Sequence, residues 1–224
     1  MNHLVSVFYN RVQNCFKYIK NVIDRKYLKN TNVSIISNHC MGGFIYHDLG
    51  LKFMSPTINL KILPDDFIEL LEHLEYYMAQ NIIEVEIPDS PCPVGMIPRR
   101  DGSQGDFIYI HFVHYRTFEQ AKEKWDERSK RINWDNIVVM MTARDGCDES
   151  TLRRFECLPY SQRICYTNEP HHEYPHCKHA RLDDGSQLKG YISDMVNIFG
   201  KRAFECNGFD YVDFLNGGGQ SSYL

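Results

Sequence analysis

The sequence predicts an α/β protein, folded as a three-layer α/β/α sandwich around a mainly parallel sheet. Three observations carry this reading. Short β-branched or aromatic runs, among them VSIIS (33–37), FIYIHFV (107–113) and IVVMM (137–141), alternate with longer segments of helical period. At that spacing the connections imply right-handed βαβ crossovers and a sheet covered on both faces. The composition, 43% hydrophobic and 24% charged over 224 residues, is that of a packed globular chain, and one core absorbs the length without dividing. A single domain over 1–224 is therefore expected.

The first element is an amphipathic helix within 1–30. Val5, Phe8, Val12, Cys15, Phe16, Ile19, Val22 and Ile23 recur at helical spacing, with Arg11, Lys17, Lys20, Arg25 and Lys26 largely between them. We read it as packed on its own domain; its basic character leaves a membrane-surface or partner-helix role as the alternative. The strand at 33–37 runs into the turn NHCMGG and a helix. A second strand follows at 57–62, and Pro64, Asp65 and Asp66 start a helix that reaches about residue 80. Short strands are expected at 82–87 and 94–97, the second inside a Pro/Gly/Ser-rich surface stretch over 88–105.

The strong strand at 107–113 is followed by a charged helix over 117–131, a buried strand at 137–141, a short helix over 149–157 and a strand at 163–166. Residues 171–185 lack periodicity and read as loop. A helical pattern resumes over 191–204, a last helix covers 209–215, and 216–224 forms a mobile, glycine-rich tail.

Several function classes are disfavoured on composition. The net charge of -4 provides no overall positive field, so nucleic acid is not an expected partner. Asn10, Arg11, Gln13 and Asn14 interrupt the N-terminal apolar run, as a signal peptide does not, and no window supplies the roughly 18 apolar residues of a membrane span. Integral membrane association is not expected. The eight cysteines, at 15, 40, 92, 147, 157, 165, 177 and 206, form no CxxC pair or short-spaced framework. They read as reduced thiols in a cytoplasmic protein.

In open parallel sheets ligands bind beyond the carboxyl ends of the strands, so the loops after Ser37, Val113, Met141 and Tyr166 are the candidates. The first holds Ser37, Asn38, Cys40, Gly42 and Gly43. A thiol before a helix start is lowered in pKa, and the N–H groups of such a turn can hold an oxyanion or phosphate. Cys40 is the nucleophile candidate; the alternative is a small core residue beside a tight glycine turn. The loop contains neither GxGxxG nor GxSxG. His114, at the end of the strand 107–113, is the candidate general base, and Asp145 after 137–141 its orienting carboxylate. Each also fits a structural role, His114 as a hydrogen-bonded strand end and Asp145 as part of an ordinary Asp-Gly turn. His171, His172, Glu173, His176, Cys177 and His179 are the densest set of potential metal ligands, but their spacing fits neither a zinc half-site nor HExxH, and no metal site is assigned. Asp183 and Asp184 are adjacent, without the spacing of a nucleotide-sugar transferase acidic pair.

The segments SIISNHCMGGFIYHDLGLKFMSPTINL, FVHYRTFEQAKEKWDERSKRINWDNIVVMMTARDGC and RFECLPY resemble a bacterial family described as exopolysaccharide biosynthesis proteins, a domain of unknown function; the likeness spans about 31–170. It implies a Rossmann-like fold and an association with capsule or polysaccharide synthesis. A more distant likeness, in the Cys after a strand and the later strand-end His, is to papain-like cysteine peptidases. The shared motifs include Ser37, Asn38, Cys40, Gly42, Gly43, Ser55, Pro56, Asn59, His114, Trp125, Arg128, Arg131, Asn133 and Asp145. Trp125, Arg128 and Arg131 share a helical face; the tryptophan is left out of the site as a packing residue, and the arginines are candidate phosphate contacts. Ser37, Asn38, Gly42, Gly43 and Asn59 complete the expected substrate-binding set.

Two functions fit. One is a cytoplasmic enzyme of exopolysaccharide synthesis that transfers or hydrolyses a group on a sugar, nucleotide sugar or lipid-linked glycan. The other is a non-catalytic carbohydrate- or nucleotide-binding module of a synthesis complex. The sequence names no cofactor and no oligomeric state.

Overall fold

The computed structural model describes residues 3–101, 106–180 and 196–218. In chain order the elements are α1 (His3–Tyr27), β1 (Ser34–Ser37), α2 (Met41–Leu49), β2 (Lys61–Ile62), α3 (Pro64–Glu72), α4 (Leu74–Ala79), β3 (Ile83–Val85), β4 (Val94–Pro98), β5 (Phe107–His111), α5 (Phe118–Ser129), β6 (Ile137–Thr142), α6 (Glu149–Glu156), β7 (Gln162–Thr167), β8 (Cys177–His179), a 3-10 helix (Ala203–Gly208) and α7 (Tyr211–Leu215).

The strands form two sheets. One is parallel throughout, in the order β1-β6-β7-β8. The other is antiparallel, in the order β2-β5-β4-β3. The expectation of one mainly parallel sheet is thereby corrected: the segments at 33–37, 137–141 and 163–166 share the parallel sheet, whereas 57–62 and 107–113 contribute to the antiparallel one. The reason lies in the connections. Residues 86–93 and 99–106 are too short for the dozen or more residues, usually a helix, that return a chain to a parallel neighbour, so β3, β4 and β5 pair as consecutive hairpins.

Strand alternation divides the core between the two faces of the parallel sheet. Ile36, Val139, Met141 and Cys165 point to one face, where they meet Ile62, Ile108 and Ile110 of the antiparallel sheet together with Phe67, Trp125 and Phe155. Ile35, Val138, Met140, Ile164 and Tyr166 point to the other, against Ile45 and Tyr46 of α2 and Val212, Phe214 and Leu215 of α7. Burial on both faces accounts for the unbroken apolar run from Ile137 to Met141 in β6.

Local differences from the sequence reading have local causes. The helix expected from 64 to about 80 breaks at His73 (φ -135°, ψ 40°) into α3 and α4. The loop expected over 171–185 contains β8, which adds to the sheet edge beside β7. Of the helix expected over 191–204, residues 191–195 lie outside the described residues; Val196 and Arg202 form an antiparallel bridge, and the 3-10 helix follows. Asp183, Asp184 and most of the tail also lie outside them.

Among the described residues, no helix is long and apolar enough to cross a membrane. α1 packs on the rest of the protein, and the side it uses is the polar one. Its polar side faces the protein: Gln13 donates to the Val196 carbonyl, Lys17 pairs with Asp48, Lys20 with Glu205, and Arg25 donates to the Asp48 carbonyl.

Candidate functional site at the junction of the two sheets

Because β1 and β6 are parallel neighbours, their carboxyl ends open on the same side. Asn38 closes that end. Its Nδ2 donates to the Thr142 carbonyl at 3.1 Å, and its Oδ1 accepts the Thr142 N–H at 3.0 Å. Its own carbonyl accepts the N–H of Ile62 at 3.0 Å, which ties the parallel sheet to β2 of the antiparallel sheet.

Ser37 builds the turn that follows. Its hydroxyl donates to the His39 carbonyl at 2.7 Å and accepts the Gly42 N–H at 3.2 Å. A Cβ on Gly42 would stand 2.9 Å from that hydroxyl oxygen, so glycine is required by close approach. Gly43 lies beside Ile58 and the Asn59 side chain, where an added Cβ would make only ordinary contacts at 3.4 and 3.5 Å.

The turn places His39 at the sheet junction, 5% exposed, with Nε2 3.7 Å from Oδ2 of Asp145. The same Oδ2 is 3.1 Å from Nζ of Lys61. Burial lowers the His39 pKa to about 4; the Asp145 charge opposes that shift, while Arg144 and Lys61 reinforce it. The imidazole is therefore neutral near pH 7. For Asp145, partial burial raises the carboxyl pKa, but the hydrogen bond and charge of Lys61, with Arg144 and His39, outweigh it and hold the group below its ordinary value. The site thus pairs an ionised carboxylate with a neutral imidazole.

Lys61 also faces His111, its register partner in the β2–β5 ladder. Burial, and then the Lys61 charge, lower the His111 pKa. Backbone conformation marks the same junction: among the described residues, Asn59 (φ 61°), Asp89 (φ 59°) and Asp145 (φ 56°) are the non-glycine residues in the left-handed region, and Asn59 and Asp145 flank this site. Asx side chains tolerate that region better than most, and functional loops often hold it.

The remaining expected residues occupy different settings. Cys40 is the N-cap residue of α2, half-buried, with no side-chain capping bond; its Sγ lies 4.0 Å from the Leu60 carbonyl, a contact that uses the thiol proton. His114 follows β5 with an exposed imidazole, and its N–H donates to the Asn59 carbonyl at 3.4 Å. The imidazole within ion-pair reach of Asp145 is that of His39. Arg128 is buried, donates to the Tyr115 hydroxyl at 2.8 Å and lies 4.9 Å from the Phe53 ring centroid. Arg131 donates to the Phe53 carbonyl at 3.2 Å and pairs with Glu127. Both arginines therefore brace the segment before β2. Trp125 is core, as expected.

His39, Lys61, His111 and Arg144 were not singled out from the sequence. His39 stands beside Cys40 in a loop already marked, but Lys61 has no local signal: it reads as the polar face of a strand, and the bond of Ile62 to the Asn38 carbonyl is what brings it beside Asp145. In the histidine-rich loop, His171 and Glu173 gather with Glu149 of α6, their potential ligand atoms within 4.8 Å of one another. Arg153 and Tyr174 also contact Glu149 there.

Residues 11–216 match DUF1919, a domain of unknown function. An uncharacterized protein of Haemophilus influenzae (strain ATCC 51907 / DSM 11121 / KW20 / Rd) is 34% identical over 202 residues, covering 89% of this chain and 91% of that protein. With the match extending from within α1 through α7, and the relative aligned over nearly its whole length, the chain belongs to the DUF1919 family.

Proposed function

We propose that this protein is a cytoplasmic enzyme of exopolysaccharide synthesis, acting by group transfer or hydrolysis on a sugar, nucleotide sugar or lipid-linked glycan at the carboxyl ends of β1 and β6. A Rossmann-like layering around the parallel sheet is part of that reading. The observation that carries it is the Asp145 carboxylate, which is ionised, held in left-handed backbone and set between Lys61 and the neutral His39. A carboxylate so placed can accept a hydrogen bond from a sugar hydroxyl and hold it in place, with Lys61 and Arg144 offsetting negative charge on the substrate. The polysaccharide context comes from the resemblance of the motif segments. Cys40 remains the nucleophile candidate within this reading, and His114 its base.

A second reading, a carbohydrate- or nucleotide-binding module without turnover, is favoured by the number of site residues engaged in structural bonds. Ser37, Asn38, Arg128 and Arg131 all hold backbone or neighbouring side chains. The test is incubation with UDP- and GDP-linked sugars, with and without acceptor sugars, followed by mass spectrometry of free nucleotide and glycan products. Turnover lost in Asp145→Asn supports the enzyme. Thermal stabilisation by a nucleotide sugar without products supports the module, and neither effect with any probe removes both readings.

A further inference from the structure

α1 is an amphipathic helix mounted with its polar face inward. Gln13, Lys17, Lys20, Asn21, Asp24 and Arg25 all bond to the rest of the protein: Lys17 lies 3.2 Å from Asp48, Lys20 2.8 Å from Glu205, Asn21 3.4 Å from Asp48, and Asp24 2.7 Å from the Tyr211 hydroxyl. The opposite face holds Val5, Phe8, Phe16, Ile19, Val22 and Ile23, each between 43% and 69% exposed. Tyr9, Tyr18 and Tyr27 flank it and are exposed as well. Those side chains open on the order of 800 Å² to solvent, beyond the patch a monomer ordinarily shows and close to one partner's share of a standard specific interface.

We propose that this face docks on the same face of a second copy of the chain, α1 against α1, in an antiparallel pair. The seam supports a helix as occupant. Val5, Phe8, Val12, Cys15, Ile19 and Val22 alternate steps of three and four, the spacing that keeps one narrow stripe turned to a partner helix. The pattern is also self-complementary. A two-fold axis passing between Gln13 and Asn14, near the middle of the 25-residue helix, sets Val5 opposite Val22, Phe8 opposite Ile19 and Val12 opposite Cys15, and antiparallel dipoles oppose each other favourably.

Charge placement favours a second copy over a lipid surface. A helix lying in a membrane interface presents free cations around its apolar face, each worth about 1 kcal/mol toward anionic lipid. Here Lys17, Lys20 and Arg25 bond to acidic and carbonyl partners, which leaves Arg11 and Lys26 as the exposed cations beside the face.

The experiment is light scattering on the full-length protein at micromolar concentration, together with a short bis-maleimide cross-linker. The expected result is a mass twice the 26.3 kDa of the chain, with a cross-linked dimer that disappears in Cys15→Ser. Ile19→Glu should weaken self-association by about tenfold or more while the circular dichroism spectrum and melting midpoint stay unchanged. If that variant misfolds, Phe8→Glu, at a more exposed position, replaces it. A mass of one chain overturns the proposal, as does a dimer that neither Ile19→Glu nor Phe8→Glu weakens. A single-chain species that floats with phosphatidylglycerol vesicles overturns it in favour of a membrane.

Discussion

Nε2 of His39 lies 3.7 Å from the Asp145 carboxylate, yet the imidazole is neutral at pH 7 because burial outweighs the attraction of that charge. The positive charges of Arg144 and Lys61 add to the effect of burial, because they disfavour a further cation beside them.

Stability should fall as the pH is lowered through this histidine. In the unfolded chain His39 takes a proton near its ordinary value of 6.5, whereas in the folded protein it does so near 4. Between those values the unfolded state binds more protons, so His39 costs stability progressively as the pH drops from about 6.5 to 4. The gap corresponds to about 3 kcal/mol at most. Melting midpoints over pH 4–8 should show a shallower acid slope in His39→Gln, and identical slopes would show that this histidine does not control the acid limb.

Asn38→Ala should be among the most damaging single changes at the site. It removes both side-chain bonds to Thr142 and leaves a buried N–H and a buried carbonyl at the end of β6 without their partner. The expected loss is about 2–3 kcal/mol in urea denaturation, the range for orphaned buried polar groups. A loss below 0.5 kcal/mol, roughly the scale of a neutral surface change, would mean that the strand ends hold without this clamp.

Gly42→Ala should be costly even though the residue sits in a helix, where alanine is ordinarily the better choice. The added methyl meets the Ser37 hydroxyl at 2.9 Å and Cγ2 of Ile35 at 3.2 Å, and both neighbours are buried. An overpacking cost of about 1–3 kcal/mol is expected. Ser37→Ala combined with Gly42→Ala should recover part of it, because the closer of the two clashes is removed; thermal melts of both variants measure the difference.

Asp48→Asn should loosen α1 before it unfolds the rest. Burial raises the carboxyl pKa of Asp48, but the hydrogen bond and charge of Arg202, with those of Lys17, hold it below its ordinary value. Arg202 is 4% exposed, so removing its counter-charge leaves a buried cation, at a cost of about 3–5 kcal/mol when such a pair is broken. Lys17 of α1 loses the same counter-charge. Limited proteolysis should cut near the end of α1 in the variant while the remainder of the chain stays resistant. Uniform digestion would show that α1 and the sheets come apart together.

Periodicity within a segment was enough to place β1, β6, β7 and the helices between them, because the alternation of Ile35 and Ile36, or the period of α5, is a property of neighbouring residues. It also marked the loop from Ser37 to Gly43 and the turn at Asp145. Which strands share a sheet depends on partners far apart in the chain, and there the short connections around β4 overruled the expectation of a single parallel sheet. The same holds for the site. His39 reaches Asp145 because β1 and β6 are parallel neighbours, and Lys61 because the Asn38 carbonyl accepts the Ile62 N–H and ties β2 to the end of β1. Sequence also made α1 amphipathic; the direction it faces was decided by Asp48, Glu205 and Tyr211, whose bonds to its polar side outweigh burial of its apolar side in a single chain.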